Sequence, residues 1–175
     1  TQYKIIYRLI KQKQPCNVLV FGLGDDSYLW KEANKNGTTI FLENIPEWIE
    51  RFEDLDIIRV DYKTTVLDYP DNLKESNLLL DLPNKITDKK WDIIIIDSPV
   101  GHNPPCIRCN MCSKENPAPG RMSSIYTASK LSHSNTIFVI DDTDREIERE
   151  CSNMYLKNTR ILYNDGKVLI KECNI

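Results

Sequence analysis

The stretch "CNVLVFGLGDDSYLW", residues 16–30, runs a continuous apolar segment into Gly22-Leu23-Gly24 and then into two carboxylates. An uninterrupted hydrophobic run of this length, stopped by glycine, is expected of a β-strand buried on both faces. The glycines let the chain turn sharply and let a ligand lie against bare main chain. Next, "DSYLWKEANKNG" (26–37) places Leu29, Trp30 and Ala33 at helical spacing, with Gly37 as a C-terminal stop. Strand, glycine turn and helix in that order open a doubly wound α/β sheet, whose ligands bind beyond the carboxyl ends of the strands.

The same alternation extends in both directions. Ile5, Ile6, Leu9 and Ile10 predict a helix over 1–14, ended by Pro15. "TTIFLE" (38–43), "DIIRVDY" (56–62), "WDIIIID" (91–97) and "NTIFVIDD" (135–142) read as strands, with helices predicted over "EWIERFE" and over 121–133. Two short apolar runs within 159–173 flank Asn164-Asp165-Gly166, a hairpin signal. Five parallel strands closed by an antiparallel C-terminal hairpin give the Rossmann-like outline of a class I S-adenosylmethionine-dependent methyltransferase sheet, in one domain over 1–175. The stretch 98–120 is too long for a plain connection and is expected to serve as a substrate loop or lid.

Composition narrows the partners. At 175 residues, with 41% hydrophobic and 28% charged residues, the chain has an ordinary globular make-up. A net charge of -3 supplies no broad basic field, which argues against capture of nucleic acid or anionic lipid. No run approaches the roughly 18 apolar residues of a membrane span, and the first residues lack a signal-peptide core. A soluble domain is expected. Its compartment stays open between the cytoplasm and, with an anchor elsewhere in a longer chain, the Golgi lumen.

The glycine turn has a distant partner. Glu43 ends the second predicted strand about 20 residues beyond the turn, where an acid accepts hydrogen bonds from ribose hydroxyls. A dinucleotide site wants a third glycine, but that position is Ser27, and Asp25 and Asp26 would repel a pyrophosphate. The same acids favour the sulfonium and ammonium of S-adenosylmethionine. Expected cofactor contacts are Gly22, Leu23, Gly24, Ser27, Glu43 and Asp97, with Asp68 placed to reach an adenine amino group. Plainer roles stand beside these: Glu43 as the acid before the next helix, Asp25 or Asp26 as a cap, and Asp68 as a loop aspartate.

Several longer stretches carry a family resemblance: "PCNVLVFGLGDDSYLW", "TIFLENIPEWI", "YKTTVLD", "LPNKITDKKWDIIIIDSPVGH", "PAPGRMSSIYTAS" and "FVIDDTDREIE". In this order, over about residues 15–156, the chain resembles the glucuronoxylan 4-O-methyltransferase family of plant polysaccharide biosynthesis, which includes arabinogalactan methyltransferases. The resemblance implies methyl transfer from S-adenosylmethionine to a hydroxyl of a uronic acid or related sugar in a polysaccharide acceptor. Asp25 departs from the family's usual histidine. Ser98-Pro99-Val100-Gly101 replaces a usual Ala-Pro-Arg-Gly, removing an arginine suited to a uronate carboxylate.

Methylating a hydroxyl needs a base or a metal, because the neutral group is a poor nucleophile. Asp97 ends the fourth predicted strand, and Asp141 and Asp142 end the fifth. Either Asp97 is the general base with Asp141 orienting it, or Asp97, Asp141 and Asp142 hold a divalent cation such as Mg2+. The second arrangement resembles that of metal-dependent catechol-type O-methyltransferases. Capping of the next helix is the plainer role for Asp141 and Asp142. Arg121, at a helix start, is expected to clamp an acceptor carboxylate, while Arg145 is either a second clamp or a surface partner of Glu146 or Glu148. His102 is a candidate base or a substitute for the missing arginine. Cys106, Cys109 and Cys112, spaced by two residues each, suit zinc, a disulfide or free thiols. A nucleotide-linked oxidoreductase and a non-catalytic cofactor-binding module are the competing functions.

Overall fold

Seven strands join in one sheet in the computed structural model of the chain, which describes residues 2–101 and 117–174. In chain order the elements are α1 (Gln2–Lys13), β1 (Asn17–Phe21), α2 (Ser27–Ala33), β2 (Thr38–Glu43), α3 (Pro46–Arg51), β3 (Ile57–Arg59), α4 (Glu75–Leu78), α5 (Asn84–Thr87), β4 (Ile93–Ile96), α6 (Met122–Leu131), β5 (Ile137–Ile140), α7 (Glu146–Tyr155), β6 (Thr159–Asn164) and β7 (Leu169–Cys173). Across the sheet the order is β3-β2-β1-β4-β5-β7-β6. Pairing is parallel as far as β5 and antiparallel for β7 and β6. This is the doubly wound sheet with a terminal hairpin that the sequence predicts. Chain order reverses between β1 and β4, opening a crevice beyond their carboxyl ends.

Period-two alternation within the strands feeds two cores. Leu19, Phe21, Leu42, Ile94, Ile96 and Phe138 face α4 to α7 and meet Leu78, Ile86, Met122, Ile125 and Ile147. Val18, Val20, Phe41, Ile93, Ile95 and Val139 face the other way, against Ile6 and Ile10 of α1 and Trp30 and Ala33 of α2. Each such side chain contributes about 1.5–3 kcal/mol when fully buried. A sheet covered on both faces explains why the strand sequences are continuous apolar runs. Among the described residues no helix is long and apolar enough to cross a membrane.

The elements differ from the sequence expectation mainly at their ends. β3 stops at Arg59, short of 62, and Val60 adds one last bond from its N–H to the Glu43 carbonyl at 2.9 Å. β4 is four residues long, though Asp92 and Asp97 continue its hydrogen bonding to Asn17 and Phe21. The one-turn helices α4 and α5 were not anticipated, because four residues carry no hydrophobic period. The helix expected over 26–37 ends at Ala33 because the next side chain is needed elsewhere. Asn34 is 1% exposed, and its amide donates to the Cys16 carbonyl at 2.9 Å, the Thr38 carbonyl at 3.0 Å and Thr39 Oγ1 at 3.1 Å. Its Oδ1 accepts the Cys16 N–H at 3.3 Å.

Asn34 thus ties the end of α2 to the starts of β1 and β2. Asn34→Ala should leave those groups without partners and destabilise the domain by about 2–3 kcal/mol. Urea unfolding followed by circular dichroism checks this, the expected sign being a lower midpoint at unchanged slope.

Candidate functional site

Hydrogen bonds that extend the sheet at its carboxyl edge assemble the site. Gly22 N–H donates to the Leu42 carbonyl at 2.8 Å, Asp97 N–H to Phe21 at 3.1 Å and Asp141 N–H to Ile96 at 3.1 Å. Glu43, Gly22, Asp97 and Asp141 therefore stand in a row across the ends of β2, β1, β4 and β5. Gly22 has φ +111°, and a Cβ there would lie 2.4 Å from the Ser98 Cβ, so both its backbone angle and its neighbour exclude a side chain.

Within the turn, Ser27 Oγ accepts the Gly24 N–H at 2.9 Å and the side chain is buried. Ser27, expected to face the cofactor, closes the turn from inside. Glu43 is 2% exposed, with Oε2 accepting the Leu23 N–H at 2.8 Å. Its Oε1 accepts the Asn44 N–H at 2.7 Å and the Ile45 N–H at 2.8 Å. One carboxylate thus holds the glycine turn and also the chain leading into α3, with both oxygens engaged by main-chain N–H groups. Asp68 Oδ2 accepts the Thr65 N–H at 2.7 Å and hydroxyl at 3.2 Å, capping its own 3-10 turn. Asp25 points outward onto Arg51 at 2.6 Å, whereas Asp26 stays beside Asp97 and Asp141, its carboxyl pushed upward first by burial.

Arg121 lies elsewhere than expected. It is 4% exposed, so it presents no clamp to an acceptor. Nη2 donates to Asp97 Oδ1 and to Asp142 Oδ2, each at 2.9 Å, and Nη1 donates to the Asp141 carbonyl at 2.8 Å. Glu148 Oε1 approaches Arg121 Nε at 3.9 Å from α7. Glu148 was expected at the surface but is fully buried, with no hydrogen-bond partner on either oxygen among the described residues. Arg145 reaches inward too, to Asp142 at 2.9 Å and Glu148 at 3.8 Å. Helix capping does not occupy Asp142, because α7 begins later and its N-cap residue is Arg145. The signal for Glu148 was present in the sequence: it follows Ile147, and Cys151 lies one turn on, so all three share the inner face of a helix.

Charge sets the chemistry of this cluster. Burial pushes the Asp97 carboxyl up to about 7, against the pull of Arg121 and with help from Asp141, Asp26 and Asp142. Its side chain keeps 40% of its surface open, so the group sits in a crevice that solvent and ligands can enter. Burial likewise raises the Glu148 carboxyl. One oxygen from each of Asp97, Asp141 and Asp142 lies within 4.8 Å of the others, the set expected to suit a cation. A guanidinium already bridges two of the three. His102, Cys106, Cys109 and Cys112 lie outside the described residues, as does most of the predicted lid.

A family model described as IRX15/IRX15L/GXM matches residues 1–78 and 72–170. The chain is 34% identical over 186 residues to "Glucuronoxylan 4-O-methyltransferase 3" of Arabidopsis thaliana, covering 92% of this chain and 59% of that protein. It is 30% identical to "Arabinogalactan O-methyltransferase 2" of the same plant, covering 89% of this chain and 60% of that one. The chain thus spans about three-fifths of the length of these curated relatives. Among solved structures, a putative caffeoyl-CoA O-methyltransferase from Staphylococcus aureus superposes with a TM-score of 0.59 at 14% identity, over 98% of this chain and 82% of its own. That likeness is one of fold, and the fold is the class I S-adenosylmethionine-dependent methyltransferase sheet.

Removing the buried cation leaves three carboxylates without it. Arg121→Met should destabilise the domain by about 3–5 kcal/mol near neutral pH. The unpaired carboxylates would have raised folded-state pKa values, so the deficit should shrink as pH falls toward 5 and they take up protons. Thermal melts of wild type and variant at pH 5 and pH 8 check this, the expected result being a larger gap at pH 8.

Proposed function

Because the chain belongs to the IRX15/IRX15L/GXM family, we propose that it transfers the methyl group of S-adenosylmethionine to a sugar hydroxyl on a uronic acid or related residue of a polysaccharide. The observation that carries the reading is the row of Glu43, the Gly22–Gly24 turn and Asp97 at the reversal of strand order, with the Asp97 carboxyl near 7. Relatives named for methylating glucuronoxylan and arabinogalactan support the class of acceptor.

S-adenosylmethionine, when bound, supplies an electrophilic methyl on a sulfonium. The glycine turn offers bare main chain against which the nucleoside lies, and Glu43 holds that turn in place through the Leu23 N–H. Asp26 and Asp97 hold negative charge beside the position of the sulfonium. Asp97 takes the proton that the sugar hydroxyl gives up as its oxygen bonds to the methyl carbon and the sulfur keeps the electron pair of the broken bond. The products are a methyl ether and S-adenosylhomocysteine. A carboxyl near 7 is ionised in part of the molecules at neutral pH and is a stronger base than an ordinary aspartate. Arg121 and, through it, Asp142 hold Asp97 in position.

A divalent cation on Asp97, Asp141 and Asp142 is the second reading, favoured by their clustering within 4.8 Å. Arg121 weighs against it. Its guanidinium already bridges Asp97 and Asp142, Arg145 adds a second charge on Asp142, and a dication there would be repelled by both. A nucleotide-linked oxidoreductase is disfavoured because Ser27 stands at the third glycine position with its hydroxyl used inside the turn.

On this reading kcat/KM for methyl transfer falls about tenfold per pH unit below an acid limb near 7, because the ionised form of Asp97 is the active one. Asp97→Asn should lower turnover by about 10^2–10^4-fold, with affinity for S-adenosylhomocysteine in calorimetry little changed. EDTA should leave the rate unaltered. Full activity in Asp97→Asn would refute the base, and loss of activity in EDTA restored by Mg2+ would favour the cation instead.

A further inference from the structure

Beside the acid cluster, α1 and α2 form an open, apolar groove of about 230 Å³ lined by Tyr3, Lys4, Tyr7, Arg8 and Leu29. Tyr3 is 54% exposed and Leu29 37% exposed, which is a large apolar offering to solvent for two neighbouring side chains. Tyr3 also walls the small cavity that it shares with Asp26, Asp97 and Asp141. Its phenol is pushed upward first by burial and then by the negative charge of Asp26, Asp97, Asp141 and Asp142. The ring leans on Trp30 with centroids 6.0 Å apart, which fixes its orientation. Tyr3 is therefore a wall of both the groove and the cavity of the acid cluster.

Lys4 and Arg8 stand one helical turn apart on the exposed side of α1, and neither makes an ion pair among the described residues. Two unpaired cations flanking a tyrosine wall, on a chain of net charge -3, select for a ligand with flat apolar faces and a negative charge. A pyranose ring presents C–H faces that pack on an aromatic ring, and a uronate adds the carboxylate. The cation expected to meet that carboxylate, Arg121, is sealed inside. Val100 stands where the family resemblance led us to expect another arginine.

We infer that the groove of Tyr3, Lys4, Tyr7, Arg8 and Leu29 is the acceptor subsite for a uronate-bearing oligosaccharide, with a sugar ring on Tyr3 and the carboxylate held by Lys4 and Arg8. This rests on the methyltransferase reading of the Asp97 site and extends it to recognition of the acceptor. Tyr3 borders both the groove and the cavity that holds Asp97, so a glycan seated on that ring lies next to the base. Binding through exposed cations should also weaken as salt rises.

Calorimetry with glucuronic-acid-substituted xylotetraose and with unsubstituted xylotetraose, without cofactor, tests the subsite. Wild type should prefer the acidic oligosaccharide and lose that preference in 0.5 M NaCl. Lys4→Glu combined with Arg8→Glu, both exposed and compatible with folding, should weaken the acidic ligand about tenfold or more and abolish the preference. Tyr3→Ala should weaken both ligands, and the Lys4→Glu/Arg8→Glu variant should alter neither S-adenosylhomocysteine affinity nor the melting temperature. Unchanged glycan binding in the charge variant, or no preference in wild type, overturns the proposal. So does a groove filled by a second copy, seen as a concentration-dependent dimer that Tyr3→Ala dissolves without any glycan binding. Labelled methyl transfer by wild type is measured in parallel. Transfer with unaltered variant binding removes the subsite alone, whereas no S-adenosylhomocysteine binding and no transfer removes the methyltransferase reading while the glycan titration still decides the groove.

Discussion

A buried guanidinium holds the working edge of this sheet together. Arg121 stands at the start of α6 with almost no exposure, and its two terminal nitrogens reach the ends of both β4 and β5. Four carboxylates, Asp97, Asp141, Asp142 and Glu148, converge there, and without a cation among them their mutual repulsion and desolvation would drive most to protonate. With Arg121 inside and Arg145 at the margin, the charge is partly offset and the strand ends are tied to α6 and α7. Such a cluster is costly to desolvate, so its value lies more in fixing geometry than in net stability.

From that clasp the rest of the crevice follows. The chain after β4 is brought so close to β1 that only glycine fits at Gly22, which leaves main chain bare where a nucleoside would pack. Glu43 binds the far side of the same turn, so the loop is held from two directions. Burial raises the Asp97 carboxyl to about 7 from the usual value near 4, Arg121 opposing the rise and three other acids adding to it. On the proposed reading, one arrangement of charges would serve both as the base for O-methylation and as a negative wall for the sulfonium. Tyr3 of α1 borders the acids on one side and, on the other, an exposed surface of a different character, apolar and basic.

The sheet was legible in the sequence because its signals are local. Strands read as apolar runs, the hairpin announces itself in Asn164-Asp165-Gly166, and the glycine turn with Glu43 marks the crevice. Strand ends were overextended, since hydrophobicity at Val60 or Trp91 does not tell whether a residue pairs or merely packs. The site was half legible. Asp97, Asp141 and Asp142 could be placed from their positions at strand ends, but the direction of a side chain such as Arg121 depends on which carboxylates converge around it, and those come from segments more than 20 residues apart. Short-range substitution explains the other misplacements: Ser27 and Asp68 use their oxygens on their own turns, and Asp25 has Arg51 within reach.

The titration of Asp97 itself bears most directly on this picture. Carbon-13 NMR of the aspartate carboxyl groups, assigned by loss of one signal in Asp97→Asn, reads that ionisation in the folded protein without any substrate. A midpoint near 7 that moves upward when Arg121 is replaced in a folded variant is the predicted outcome. An ordinary midpoint near 4, indifferent to Arg121, would contradict both the clasp and the base built on it.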